Sequence, residues 1–354
     1  MNANLTVRGV SQSDFSSIQE SPNSVYLDEV YMSSPNSAAF TLYDVQRVEV
    51  LRGPQGTLFG RASSGGLVNF ITNRPSDTFE GYVDLGYGSY HSAHAEAAVS
   101  GPLSDRVRAR LSGRVERSGG WFQNEAPGGK DSFEKRFFGI RGQIEADLTE
   151  QLTARVSLGY DRNPRHREGL YKVEAFYLDG AGQPIPLPAN VDAYGTGPGN
   201  DGFGYRDPYK SFHKGAFSNI GFLKNERISP TLNLVWKGDN FSITSITNYT
   251  KFKYSYVEDC DGGPDNNCSF PLGQNSRQWS QELRVNGKAG SVDYTAGGYY
   301  LNVRQTAYQA FQFPTSTGTD FAFSDLNLIA QKLESYAVFG QVEFPVAERL
   351  KLTV

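Results

Sequence analysis

The chain has 354 residues, 34 basic and 38 acidic, and carries a net charge of −4 with the signs well mixed. Nothing in that balance points to a nucleic-acid-binding surface, and no run of eighteen apolar residues exists to cross a membrane as a helix. A transmembrane β-barrel stays open despite a mean hydropathy of −0.48, because barrel strands carry only alternating hydrophobicity inside a polar average.

Residues 1–76 differ from the rest. Residues 1–30 hold no basic segment followed by an apolar one, so no secretory leader is legible. Short apolar strands, "SVYLDEVYM" and "LVNFIT", are joined by loops of small residues. Between them runs "DVQRVEVLRGPQGTLFG", Asp44 to Gly60. It lacks the Lys-Ser/Thr that a phosphate-cradling loop needs for terminal phosphates and magnesium, and it lacks dinucleotide-type glycine spacing. The stretch reads instead as a strand ending in a turn, with Pro54 presetting φ and Gly56 supplying freedom. Gly53, Gly60, Gly65 and Gly66 complete the glycines of that turn region. Arg47, Glu49 and Arg52 lie on the strand, where charges must pair or face a polar wall. "ITNRPSDTFEG" is a connector, because Pro75 cannot donate to a strand ladder.

From Glu80 the period is two. In "RVRARLSGRVE", Val107, Ala109, Leu111 and Val115 share one face, opposed by Arg106, Arg108, Arg110 and Arg114. Strands are expected near 80–88, 92–101, 106–116, 136–148, 152–161, 228–237, 240–256, 277–286, 291–304 and 334–344, with an eleventh starting at Leu350. Every second link is short, and the others are long: 117–135, 162–227, 257–276 and 305–333. Such alternation fits an outer-membrane barrel with short periplasmic turns and long outer loops. The Val/Leu/Ile/Tyr face then meets lipid and the Arg/Glu/Gln face lines a wet lumen, since an arginine in hydrocarbon costs about 2–4 kcal/mol. Tyr160, Trp236, Trp279, Tyr300 and Phe344 are expected near strand ends as interfacial girdles. A soluble β-sandwich is the bland alternative.

Cys260 and Cys268, the chain's two cysteines, close a polar Gly/Asn loop, which reads as a local disulfide; incidental thiols are the alternative. Asp259, Asp261 and Asp265 in that loop invite a calcium reading, but the bidentate glutamate of an EF-hand loop is missing. The four histidines form no metal-ligand spacing, so neither metal nor cofactor is expected and no covalent chemistry is offered. Aromatic clusters at Gly119–Asn124 and Gly204–Phe217 supply Trp121, Phe122, Tyr205, Tyr209 and Phe212, either as ligand contacts or as solvated loop rings.

"LTVRGV", "VYLDEV" and "DVQRVEVLRGPQGTLFGRASSGGLVNFITNRPS" together resemble the plug signature of TonB-dependent outer-membrane receptors. One departure is Glu29, where the family usually has glycine. The resemblance implies an all-β transmembrane fold: a small α+β plug over 1–76, then over 77–354 about half of a 22-stranded antiparallel barrel. Both ends read as cut, the chain closing in mid-strand at "RLKLTV". The resemblance further implies import across the bacterial outer membrane driven by the TonB complex, most commonly of a ferric siderophore, with cobalamin, haem or oligosaccharide as alternatives. A passive porin is the rival class, but it has no need of a folded N-terminal domain. By the family pattern Arg47, Glu49 and Arg52 belong to a lock between plug and barrel wall. The full-length receptor is expected to be a monomer in outer-membrane lipid, with no nucleic-acid partner and no enzymatic activity.

Overall fold

A computed structural model describes residues 5–11, 20–38, 42–53, 64–169, 176–178, 181, 184–186, 208–209, 211–218, 221–259, 262–264, 268–314, 321–347 and 350–354. The N-terminal part contains β1 (Asn23–Leu27), β2 (Val30–Tyr31), α1 (Pro35–Ala38), β3 (Val45–Arg52) and β4 (Gly66–Thr72). They form a mixed sheet in the order β2-β1-β4-β3, with β1 parallel to β4. β1 and β4 are buried along nearly their whole length, as central strands covered on both faces must be.

The wall consists of β5 (Glu80–Gly88), β6 (Ser92–Ser104), β7 (Val107–Ser118), β9 (Lys135–Asp147), β10 (Leu152–Arg167) and β14 (Phe222–Lys237). It continues with β15 (Phe241–Asp259), β16 (Ser269–Ala289), β17 (Val292–Pro314), β18 (Phe321–Ala347) and β19 (Leu350–Thr353). These eleven strands form one antiparallel sheet in chain order, with β5 and β19 at its two edges, so the barrel is open. Four short strands decorate the outer connections: β8 (Gln123–Asn124), β11 (Phe176–Leu178), β12 (Pro184–Pro186) and β13 (Lys214–Gly215).

All eleven expected wall strands are present, but several run further than the alternation indicated. β16, β17 and β18 have 21, 23 and 27 residues, about twice what a tilted strand needs to cross a bilayer. The long links expected at 257–276 and 305–333 are therefore mostly strand: β15 runs to Asp259 and β16 begins at Ser269, while β17 runs to Pro314 and β18 begins at Phe321. Above the membrane both faces of a strand meet polar surroundings. The two-residue pattern fades there while the hydrogen-bonded ladder continues.

Strand length also moves the expected girdle. Tyr160, Trp279 and Tyr300 stand eight to ten residues above the periplasmic ends of β10, β16 and β17, about 20–25 Å up at 3.3 Å per residue and a 40° tilt. That is the height of an outer girdle on a band ~25 Å tall. Trp236 and Phe344 sit near the short-turn ends, at the inner girdle, and Trp236 packs on Phe241 with ring centroids 5.1 Å apart.

Burial is inverted relative to a soluble sheet. Leu85, Leu111, Ile144, Val156, Leu283 and Val338 are exposed on the outer face. Arg110, Arg141, Gln143, Asn248, Gln274, Gln278 and Glu282 are buried on the inner one. Two inward arginines make double ion pairs: Arg108 with Glu145 and Asp147, both at 2.8 Å, and Arg114 with Glu96 and Glu116, both at 3.1 Å. One inner patch is apolar. Tyr299, Leu301, Val303 and Phe339 pack against Tyr26, Tyr31 and Leu67 of the N-terminal sheet. That patch is a greasy seat, and it fixes which side of the small sheet faces the wall.

Candidate functional site

The short segment entering β3 is gripped from several sides. Asp44 has φ +51, a left-handed conformation that Asp tolerates better than most residues. Its carboxylate is fully buried and accepts two hydrogen bonds from Arg110 of β7, Nε at 2.8 Å and Nη2 at 2.6 Å. This is the planar, two-pronged geometry that arginine forms best. Asn73 donates at 2.9 Å, Tyr82 at 3.4 Å, and the Asp44 amide donates to Glu96 at 2.9 Å. Burial alone would raise the Asp44 pKa, but donation from Arg110 and Asn73 outweighs it and holds the carboxyl below its ordinary 3.8.

One residue earlier, the Tyr43 carbonyl accepts from Arg141 at 3.2 Å, and the same guanidinium lies 4.5 Å from the centre of the Tyr43 ring. Burial pushes the Tyr43 phenol up, and neighbouring Asp161 adds to the shift. Behind it, buried Asp161 and Arg227 form an ion pair at 3.2 Å between β10 and β14. A second grip runs along β16. Gln278 donates to the Tyr31 carbonyl at 2.6 Å and accepts from the Ser33 amide at 3.2 Å. Ser34 donates to Gln274 at 2.9 Å, and Arg284 reaches Glu29 at 2.6 Å.

Above the first grip, at the end where the long connections lie, is a cavity of about 430 Å³. Leu42, Trp121, Phe133, Phe137 and Leu223 give it an apolar lining, interrupted by ion-paired side chains. Arg114 meets Glu116 at 3.1 Å, Arg136 meets Glu134 at 3.7 Å, and His166 meets Glu168 at 3.3 Å. Such a lining suits an amphipathic organic ligand bearing rings. Leu42 joins the cavity directly to Tyr43 and Asp44.

Trp121 lines that cavity and stacks on Phe133 at 4.7 Å. Phe122 is buried between Phe133 and Phe217 and serves packing. It zips two outer connections together, alongside the parallel pairing of β8 with β13 and a hydrogen bond from Asn124 to the Phe217 carbonyl. Phe212 is exposed and Tyr209 half-buried, while Tyr205 lies outside the described residues.

Arg47 and Glu49 pair with each other at 2.8 Å on the exposed side of β3, and Arg52 ends that strand opposite Gly66. The described polar contacts between the N-terminal part and the wall instead include Glu29, Tyr31, Ser33, Ser34, Tyr43 and Asp44, none of which sequence reasoning singled out as a site residue. A signal existed. Arg110 was assigned to the inner face, where a buried cation demands an acid, but nothing in the sequence named Asp44 as that acid.

Among the turn glycines, Gly53 has φ +88 and Gly66 +153. A Cβ on Gly65 would lie 2.2 Å from the Asn23 Oδ1, so the chain passes there only without a side chain. Pro54, Gly56 and Gly60 lie outside the described residues. Cys268 is buried and disulfide-bonded, and no described cysteine is free; Cys260 lies outside the described residues. Asp259 accepts from the Gly262 amide at 2.9 Å and from Ser218 at 3.1 Å. No cluster able to hold a metal occurs among the described residues, with Asp261 and Asp265 outside them.

Residues 1–67 match the family described as TonB-dependent Receptor Plug Domain. The N-terminal sheet is thus similar to the plug domain of TonB-dependent receptors. It is 40% identical over 104 residues to the pesticin receptor of Yersinia pestis, covering 28% of this chain and 15% of that protein. With the ferripyoverdine receptor of Pseudomonas aeruginosa it shares 33% over 132 residues, 36% of this chain and 15% of the relative. In fold it is similar to the ferric yersiniabactin uptake receptor FyuA from Yersinia pestis, with a TM-score of 0.78 at 22% identity, over 99% of this chain and 49% of that one. The chain spans about half the length of that solved receptor.

Proposed function

We propose that this chain is the plug, residues 1–76, and the first wall half, residues 77–354, of an outer-membrane receptor that imports a ferric siderophore, with the TonB complex supplying the energy. The observation that carries the reading is the clasp of Asp44 by Arg110. A folded domain is held by buried charge inside a wall whose greasy side faces out. A passive diffusion pore has no use for a stopper fixed in this way. Uptake that opens and closes needs one, because contacts of this kind hold firmly and yet can be undone by a directed pull.

Siderophore cargo is supported by relatives and neighbours named as ferripyoverdine, ferrioxamine B and ferric yersiniabactin receptors, and by the apolar, ion-paired cavity above the plug. Trp121, which lines that cavity, is the ligand contact that the geometry favours, with Tyr209 and Phe212 on an outer connection as further candidates. Arg47, Glu49 and Arg52 remain the plug side of a lock toward wall strands beyond the eleven described.

The test is uptake of radio-iron carried by a panel of siderophores, in cells whose only outer-membrane iron receptor contains this chain. Accumulation of iron from at least one chelate, abolished by deleting TonB, is the expected result. Iron entry that persists without TonB would point to a pore.

A further inference from the structure

The turn between β1 and β2 consists of Asp28 and Glu29, with φ +51 and +67. Two-residue turns of this sort take glycine at the second position without steric cost, whereas glutamate is strained there. Asp28 has a local reason for its place: its carboxylate accepts from the Thr72 amide and hydroxyl, both at 2.8 Å. Among the described residues, the Glu29 side chain makes no comparable contact within the plug. Its side chain leaves the small sheet and accepts from the Arg284 Nη2 of β16 at 2.6 Å. Arg284 is also in ion-pair contact with buried Glu282 at 3.1 Å. On the plug side, the Glu29 amide donates to Asn69 Oδ1 at 3.3 Å, Asn69 donates to Glu49 Oε2 at 3.1 Å, and Arg47 donates to Glu49 Oε1 at 2.8 Å. A continuous polar chain therefore crosses the plug sheet, from the wall at Arg284 to exposed Arg47.

We propose that Glu29 is a positioning residue. It is a latch that ties the β1–β2 turn to the wall through Arg284 and couples that tie to Glu49 and Arg47. Backbone strain at Glu29 is retained because the carboxylate, which glycine lacks, reaches Arg284. The gating role of the latch rests on the uptake reading above; the tie itself does not.

Sign separates the latch from a turn residue. Glu29→Gly relieves the strained backbone, so if Glu29 only shapes the turn, the plug becomes firmer or stays as it was. As a latch, its removal leaves Arg284 without its plug partner and loosens the plug. The experiment records ion conductance of the intact receptor in planar lipid bilayers, with no ligand, under a urea ramp. Glu29→Gly and Glu29→Gln are expected to raise the frequency of plug-opening events about tenfold or more. Glu29→Asp, one methylene shorter, should fall between them and the wild type. Arg284→Gln, which removes the other partner, should raise opening as well, and adding Glu29→Gln to it should raise it little further. In uptake, Glu29→Gly should change the maximal rate and leave the half-saturating siderophore concentration within twofold. Wild-type conductance in both Glu29→Gly and Glu29→Gln overturns the latch, as does a Glu29→Gln/Arg284→Gln double variant whose effect is the sum of the two single ones. Absent uptake with altered conductance would sink the uptake reading and leave the latch standing.

Discussion

At the scale of single residues, Asp44 and Arg110 carry the most weight. Asp44→Asn removes the charge that compensates a buried guanidinium, an effect of about 3–5 kcal/mol in buried pairs. Plug release in urea, followed by conductance, should shift to clearly lower denaturant. The pH dependence follows from the depressed carboxyl. A folded-state pKa below the ordinary 3.8 means the contribution is fully present above about pH 4. It is lost as pH falls through the folded value. Conductance should therefore stay at its closed level from pH 7 down to about pH 4 and rise only below that. An onset near pH 6 would show that another group holds the plug. The alternating strand pattern placed Arg110 inward, so the need for a partner was legible. The partner's identity was not, because it sits 66 positions away on a segment without periodicity.

Among the elements, the strands were the most readable part of the chain. All eleven wall strands were expected within a few residues at their periplasmic ends, because lipid on one side and lumen on the other enforce a strict period of two. Their outer ends ran past expectation, since above the bilayer nothing distinguishes the two faces. The same physics hid the role of Phe122, which is loop glue and not surface. Phe122→Ala removes a buried ring between Phe133 and Phe217, a change of about 3–5 kcal/mol in a packed core. The connections at 119–134 and 211–218 should then exchange amide hydrogens faster, with the wall strands unchanged. Equal protection in both proteins would mean that β8–β13 pairing suffices to hold them. Glu29 was noticed in the sequence as a departure from the family's glycine. Only the position of Arg284, far along the chain, gives that departure a meaning.

For the molecule as a whole, the decisive property is inverted burial around a seated plug. An open sheet has two edges, and on β5 and β19 each described strand is paired on one side only. Unpaired backbone groups facing lipid cost several kcal/mol apiece. Residues 1–354 expressed alone should therefore fail to give the heat-modifiable migration of a closed barrel; obtaining it after refolding into lipid would show that the edges close without further strands. The central claim is the direction in which the two strand faces point. It is tested most directly by spin labels on cysteines replacing Val338 and Gln278 in the intact receptor in bilayers. The account predicts high accessibility to dissolved oxygen and low accessibility to a water-soluble nickel chelate at position 338, and low accessibility to both at position 278, beneath the plug. Oxygen exposure at 278 together with nickel exposure at 338 would contradict it.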